Sequence, residues 1–313
     1  NELIVKSGTF NKREYIYNNY HKFKSFSLNS NLNHSETDGY RDENESQQNN
    51  FTSQLIIPSN TGDHFLSLNV NEQIMSTPSD RGQDQLYTDR RGSDTPNDYI
   101  SSEGTSILYT KKYKINSDSK LILSSSIRNK DSYSDLQTSA AYPSYSETFT
   151  RNYQFTPRIN QNLNLFNKTT NITYGLDLLY ADYESKRKKN STAIAKHTYN
   201  AWQTTLATYI QKNINLNDKL SIGAGIRSQR NSIGIGDFLN TAAPDYANWD
   251  VKHLTFLDNQ INHAANIGFE RKIMDLYKVY GRIGNGFRYP NIDDRIGGSG
   301  GTSLDLKTQK TND

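Results

Sequence analysis

From Phe149 to Leu165 the chain alternates without a break. One face reads Phe149, Arg151, Tyr153, Phe155, Pro157, Ile159, Gln161, Leu163 and Leu165, and the other Thr150, Asn152, Gln154, Thr156, Arg158, Asn160, Asn162 and Asn164. A period of two puts successive side chains on opposite faces of a sheet, so this is a strand with one apolar and one wet side. Its length exceeds the roughly five or six residues usual in soluble sheets. A strand tilted across a bilayer needs about 9–11 residues to pass the hydrocarbon, with more on either side. The pattern therefore predicts an all-β chain whose strands cross a membrane.

Composition must be read with that period in mind. Hydrophobic residues make up 33% of the chain and mean hydropathy is -0.85. No window approaches the roughly 18 consecutive apolar residues of a spanning helix, so a helical membrane protein is excluded. A barrel escapes this test because only alternate residues face lipid, while the rest face a hydrated lumen. Disorder is opposed by 21 Tyr and 12 Phe, far more aromatic surface than unfolded chains carry. The absence of Cys removes disulfides, zinc-thiolate sites and thiol nucleophiles. Net charge is +3, from 36 basic and 33 acidic residues scattered together, which gives no footprint for nucleic acid.

The connections fall into two classes. Short reversals rich in Asn, Asp, Gly or Ser are expected near 20–22, 59–63, 116–119, 167–170, 217–218 and 274–276. Long polar connections are expected near 35–50, 75–104, 132–146, 184–197, 234–258 and from Phe287 onward. Strict alternation of short with long is the pattern of an up-and-down barrel whose two ends meet different compartments. Further alternating strands contain Phe26 to Leu32, Trp202 to Ile210 and Leu220 to Ile226. About thirteen strands are expected, with polar residues on one face throughout. Tyr109, Tyr113, Tyr180, Tyr183, Tyr277 and Tyr280 are candidates for an interfacial aromatic girdle.

Four segments in order carry a family resemblance. Ser7 to Phe10 is similar to a Gly-Ser-Phe-Gly run near a first barrel strand. Asp38, Gly39, Tyr40 and Arg41 match an Asp-Gly-Tyr-Arg turn. Phe287, Arg288, Pro290 and Asn291 form a Phe-Arg-x-Pro-like run ending a late strand, and Leu304 to Gln309 is similar to the start of the strand that returns. Together these resemble the barrel of TonB-dependent outer-membrane receptors. The chain departs from the common pattern at Asp293 and Asp294, where Glu is frequent, and at Thr308, where Pro is frequent.

The resemblance implies an antiparallel transmembrane β-barrel of about 22 strands around a plug. Residues 1–313 would be the N-terminal part of that barrel as a single domain, with the plug and closing strands outside this chain. It implies residence in the outer membrane of a Gram-negative bacterium, and active uptake of a scarce metal chelate, foremost a ferric siderophore or similar iron complex. The partners implied are that extracellular chelate, outer-membrane lipid, and the energy-transducing TonB protein, which would act through the missing plug. No cofactor is implied. No His lies between Phe287 and Asp313, which favours a pre-chelated iron or cobalt complex over haem, with His197 and His253 the remaining candidates for an axial ligand.

Read from the residues alone, two long connections are candidate contact surfaces. In 75–104, Arg90 and Arg91 with Tyr87 and Tyr99 suit an anionic chelate, and the carboxylates at Asp80, Asp84, Asp89 and Asp94 suit a hard cation. In 234–258, Phe238, Tyr246 and Trp249 supply aromatic area. No catalytic motif occurs: no Gly-x-Ser-x-Gly elbow, no His-Glu-x-x-His and no phosphate-binding loop. The alternatives are a passive diffusion pore, a barrel hydrolase and a soluble β-sandwich or adhesin. A chain that leaves the barrel open would expose its first and last strands as unpaired edges.

Overall fold

The computed structural model describes residues 1–78, 80–136, 144–165, 168–243, 254–274, 276–296, 304 and 306–312. Fourteen strands follow one another: β1 (Glu2–Ser7), β2 (Arg13–Lys22), β3 (Ser27–Thr37), β4 (Ser46–Ile57), β5 (His64–Ser76), β6 (Tyr99–Lys114), β7 (Ser119–Leu136), β8 (Ser144–Leu165), β9 (Lys168–Lys188), β10 (His197–Asn217), β11 (Leu220–Leu239), β12 (Leu254–Met274), β13 (Tyr277–Arg288) and β14 (Gln309–Asn312). Two short helices, α1 (Gln83–Thr88) and α2 (Ile292–Ile296), interrupt long connections. Every strand pairs antiparallel with its sequence neighbours, so strand order is chain order, and no ladder joins β1 to β14 among the described residues. The result is a barrel-like wall with one strand more than the sequence count.

Register assigns the two faces. Along β9 the outward residues are Ile172, Tyr174, Leu176, Leu178 and Tyr180, of which Tyr174, Leu178 and Tyr180 stand opposite Ile159, Phe155 and Tyr153 of β8, and Ile172 opposite Gln161. Next along the same outward face come Asp182, opposite Arg151, and then Glu184. The apolar run thus spans nine positions, near the length a tilted strand needs to cross hydrocarbon. The strands continue well past it, to 22 residues in β8 and 21 in β9. Tyr109, Tyr113, Tyr180 and Tyr277 stand on the outward face with this band, as the girdle requires. Tyr183 and Tyr280 have the opposite parity. Tyr183 is 4% exposed inside the wall, so neither belongs to a girdle.

Among the described residues the short turns fall at 23–26, 58–63, 115–118 and 218–219, all at one end, the end at which β8 also meets β9 and β12 meets β13. Residues 20–22, expected as a reversal, remain in β2, and the chain turns instead at Phe23 to Phe26, where Phe23 N–H donates to Phe26 O at 2.8 Å. At the other end the connections are shorter than expected, running 38–45, 77–98, 189–196 and 240–253. Past the apolar band polar residues stand on both faces, so the hydrophobic alternation fades while the backbone ladder continues.

The inward face is not polar throughout. At the outer ends of β9 to β11, inward Tyr183, Tyr199, Ala201, Ile233 and Ile235 form a buried apolar cluster with Ile292 and Ile296 of α2. The connection after β13 folds back against the wall and covers that patch.

Candidate ligand vestibule

Two connections at the long-loop end are locked together by the Asp-Gly-Tyr-Arg turn. Phe10 and Asn11, both at positive φ, reverse the chain between β1 and β2, and Phe10 O accepts from Asp38 N–H at 2.9 Å. Gly39 has a φ of 76°, and a Cβ there would sit 2.3 Å from Asn44 O, so the position demands glycine. This turn holds Tyr40 edge-on to Phe10, with ring centroids 5.6 Å apart. The guanidinium carbons of Arg90 and Arg91 stand 5.9 and 5.6 Å from the Tyr40 ring centre. Arg41 Nη2 donates to Gly92 O at 2.9 Å, and Asp42 N–H to Arg91 O at 2.8 Å. The sequence motif and the basic pair chosen independently in the next long connection therefore meet in space.

The 77–98 connection is organised around Arg81. Its side chain is only 5% exposed, with Nη2 2.6 Å from Asp89 and Nη1 2.8 Å from Asp94. Gln85 on α1 donates to the second oxygen of Asp94 at 3.0 Å, and Gly92 N–H donates to Asp89 at 3.1 Å. Two of the four carboxylates proposed for a hard cation, Asp89 and Asp94, take their countercharge from Arg81. Among the described residues no group of three or more potential ligands gathers for a metal. The Gln85 amide, followed by the Arg81 charge, holds the Asp94 carboxyl below its ordinary value of 3.8. Asp94 therefore contributes fully to loop order above pH 3.8, and the contribution is lost as pH falls through its lowered value. Pepsin cleavage within 77–98 should rise on acidification in this lower range, and Asp94→Asn should remove the dependence.

The Phe-Arg-x-Pro-like run builds the inner cover. Phe287 meets Tyr289 edge-on at 5.4 Å, and the Tyr289 hydroxyl donates to Gln229 O of β11 at 2.9 Å. Pro290 is buried, and Asn291 starts α2 through a reciprocal cap: Asp294 N–H donates to Asn291 Oδ1 at 2.6 Å and Asn291 N–H to Asp294 at 3.0 Å. Arg288 pairs with the same Asp294 at 3.2 Å. Arg295 drives into the wall, 3.2 Å from Asp258, over the Phe256 ring at 5.0 Å and donating to Leu304 O.

Beneath this cover lies a cavity of about 830 Å³ along β10 to β13, lined in part by Gln203, Thr205, Tyr209, Arg227, Gln229 and Asn231. Arg227 is fixed by Asp177 at 2.6 Å and by Gln229 at 2.8 and 3.0 Å. Asn231 accepts from Gln203 and Thr205 at 2.9 and 3.0 Å. The wall offers donors and acceptors to a hydrated solute.

The remaining candidates separate. Tyr87 on α1 is 84% exposed. Tyr99 opens β6 at an outward register position, opposite Asp135, and Phe238 lies within β11, outward and 58% exposed. Tyr246, Trp249 and His253 lie outside the described residues. His197 is hydrogen-bonded through Nδ1 to Asp237 at 3.0 Å and stacks on Tyr199. Sequence reading missed Arg295, Asp258 and Tyr289. The one signal for the inner cover was apolar Tyr199, Ala201, Ile233 and Ile235 at inward parity.

The comparisons agree with this geometry. The family model described as TonB dependent receptor-like, beta-barrel matches residues 7–312. No curated protein sequence matches the chain. Among solved structures, the unliganded ferric citrate transporter FecA superposes with a TM-score of 0.77 at 11% identity, over 91% of this chain and 43% of that one. The ferric yersiniabactin uptake receptor FyuA from Yersinia pestis gives 0.71 at 12% identity, over 97% of this chain and 48% of that one. The copper transporter OprC gives 0.72 at 14% identity, over 98% and 49%. The chain spans about half the length of these structures. The family match over nearly the whole chain, on a fourteen-stranded antiparallel wall with one-sided long connections, places this protein in the TonB-dependent receptor β-barrel family.

Proposed function

We propose that the protein is the wall of an outer-membrane receptor that takes up a metal chelate, foremost an iron complex, with energy supplied by TonB acting on a plug domain. The observation that carries this reading is the polar inner wall around Arg227, Gln229 and Asn231, set below loops that are fixed rather than loose. Long connections on a rigid scaffold supply recognition, and the hydrogen-bonding wall lets a hydrophilic solute pass without entering lipid. The solved relatives named for ferric citrate, ferric yersiniabactin and copper support a metal cargo. Tyr87, Arg90 and Arg91 are the proposed first contacts, where charge-assisted hydrogen bonds suit an anionic chelate.

The test is uptake of radiolabelled ferric chelates by cells whose only receptor is the full-length protein. Uptake should stop when the proton gradient is collapsed, and an undiminished flux would instead describe a passive pore. Replacing Arg90 and Arg91 together by alanine should weaken chelate binding about tenfold or more, the scale of charged hydrogen bonds. Unchanged affinity would remove them from the contact surface.

A further inference from the structure

Among the described residues the outward face carries basic residues at the short-turn margin of its apolar band, whereas at the long-connection margin both signs occur, with Arg151 opposite Asp182 and Arg230 opposite Ile261. Lys111 on β6, Lys212 on β10 and Arg271 on β12 stand at outward positions, each two residues toward the short turns from outward Tyr109, Ile210 and Phe269. At the opposite margin of the apolar band the same face bears carboxylates. Glu72 stands opposite Glu103, and Glu103 opposite Asp131. Like charges directly across a ladder are unfavourable, so this distribution is not what sheet stability alone would select.

Lys111 is held in place by its surroundings. Its ammonium group is 2.7 Å from His64 Nε2 and donates to Gly62 O at 3.0 Å, while His64 Nδ1 lies 2.9 Å from the Tyr109 hydroxyl. An ammonium group only donates, so Nε2 accepts and Nδ1 carries the ring proton. Nδ1–H then donates to the Tyr109 oxygen, which leaves the phenol proton for an acceptor beyond the protein. Tyr109 is 40% exposed, beside outward Leu66, also 40% exposed. A fixed cation and a hydroxyl donor thus adjoin an apolar surface on one face.

We infer that this rim, Tyr109, His64 and Lys111 with Lys212 and Arg271 farther round the wall, binds the phosphate headgroups of anionic phospholipids in the leaflet on the short-turn side. The inference rests on the membrane reading of the wall. The occupant follows from chemistry: the donors point sideways from the barrel and are continuous with the apolar band. A soluble anion would satisfy the charge and leave the apolar surface bare, whereas a phospholipid satisfies both. Each basic residue near a membrane surface raises affinity for acidic lipid about fivefold.

The experiment uses the full-length receptor in nanodiscs of phosphatidylethanolamine containing a minor share of phosphatidylglycerol, with protein-bound lipid read by native mass spectrometry. Wild type should retain phosphatidylglycerol above its bulk share, and 1 M salt should diminish the enrichment. Lys111→Gln, Lys212→Gln and Arg271→Gln should each lower it about fivefold. Lys111→Arg should retain it, and Tyr109→Phe should reduce it with the fold intact by circular dichroism. Bound lipid at the bulk ratio in wild type, or enrichment unaltered in the folded triple variant, overturns the inference. Preferential retention of lipid A also overturns it, since that lipid belongs to the other leaflet. Wild type that fails to enter the bilayer at all overturns the membrane reading, and this inference with it.

Discussion

Replacing Arg295 by alanine should loosen the whole cover over the inner wall. The Arg295 side chain is 2% exposed and the Asp258 side chain 26%, so their ion pair lies mostly out of water. Removing one partner of a buried pair costs about 3–5 kcal/mol, because the other charge is left unmatched. The partial hydration of Asp258 argues for the lower end, about 3 kcal/mol, on the order of a hundredfold in the opening equilibrium. Ile292 and Ile296, at 5% and 2% exposure, oppose release. Each contributes about 1.5–3 kcal/mol by burial, so the segment should stay seated most of the time while opening far more often. Amide hydrogen exchange across residues 289–296 reads this directly. Arg295→Ala should accelerate exchange strongly, and Arg295→Ala combined with Ile296→Asp should abolish protection. Protection unchanged in the single variant would show that the apolar contact alone holds α2.

Gly62→Ala should be the most damaging small change at the short-turn end. Gly62 has a φ of 127°, outside the range that side-chain-bearing residues adopt readily, and a Cβ there would lie 1.8 Å from the backbone oxygen of Lys112. That oxygen belongs to a strand whose amides are tied to the same turn: Lys112 N–H donates to Asp63 O and Lys114 N–H to Thr61 O, each at 2.9 Å. Neither partner can rotate away, so the turn must leave β6. Backbone strain of about 1–3 kcal/mol adds to the two lost hydrogen bonds, each worth about 1 kcal/mol, for a total on the order of 3–5 kcal/mol. The urea midpoint of the detergent-folded protein should fall sharply, and Gly62→Ala with a wild-type midpoint would refute this account of the turn.

The wall was legible in the sequence where a physical gradient lies across it. Tyr153, Phe155, Pro157 and Ile159 alternate with polar residues, and the structure sets Tyr153, Phe155 and Ile159 opposite Tyr180, Leu178 and Tyr174 on one apolar face. Past Arg151 and Asp182 the gradient ends, so Phe238 read as a loop residue although it continues β11. Tyr183 read as a girdle residue because its type fits one, and only its register, opposite Ala201, turns it inward. In the vestibule, local chemistry was readable and partnership was not. The Asp38 to Arg41 turn and the Arg90, Arg91 pair each stood out, but their contact joins residues fifty positions apart. Arg295 carried no signal, since an arginine in a polar connection looks solvated until the segment is seen to fold inward.

If the protein spans a bilayer as proposed, one face of this wall meets lipid and the other a hydrated lumen. The chain contains no Cys, so single cysteines can be introduced without background. Along β8, cysteines at Tyr153, Phe155 and Ile159 in the bilayer-embedded protein should resist charged thiosulfonate reagents and react only with a membrane-permeant maleimide. Cysteines at Gln154, Thr156 and Arg158 should react with the charged reagent, giving a period of two across the span. Uniform labelling at all six positions would contradict a lipid-facing wall.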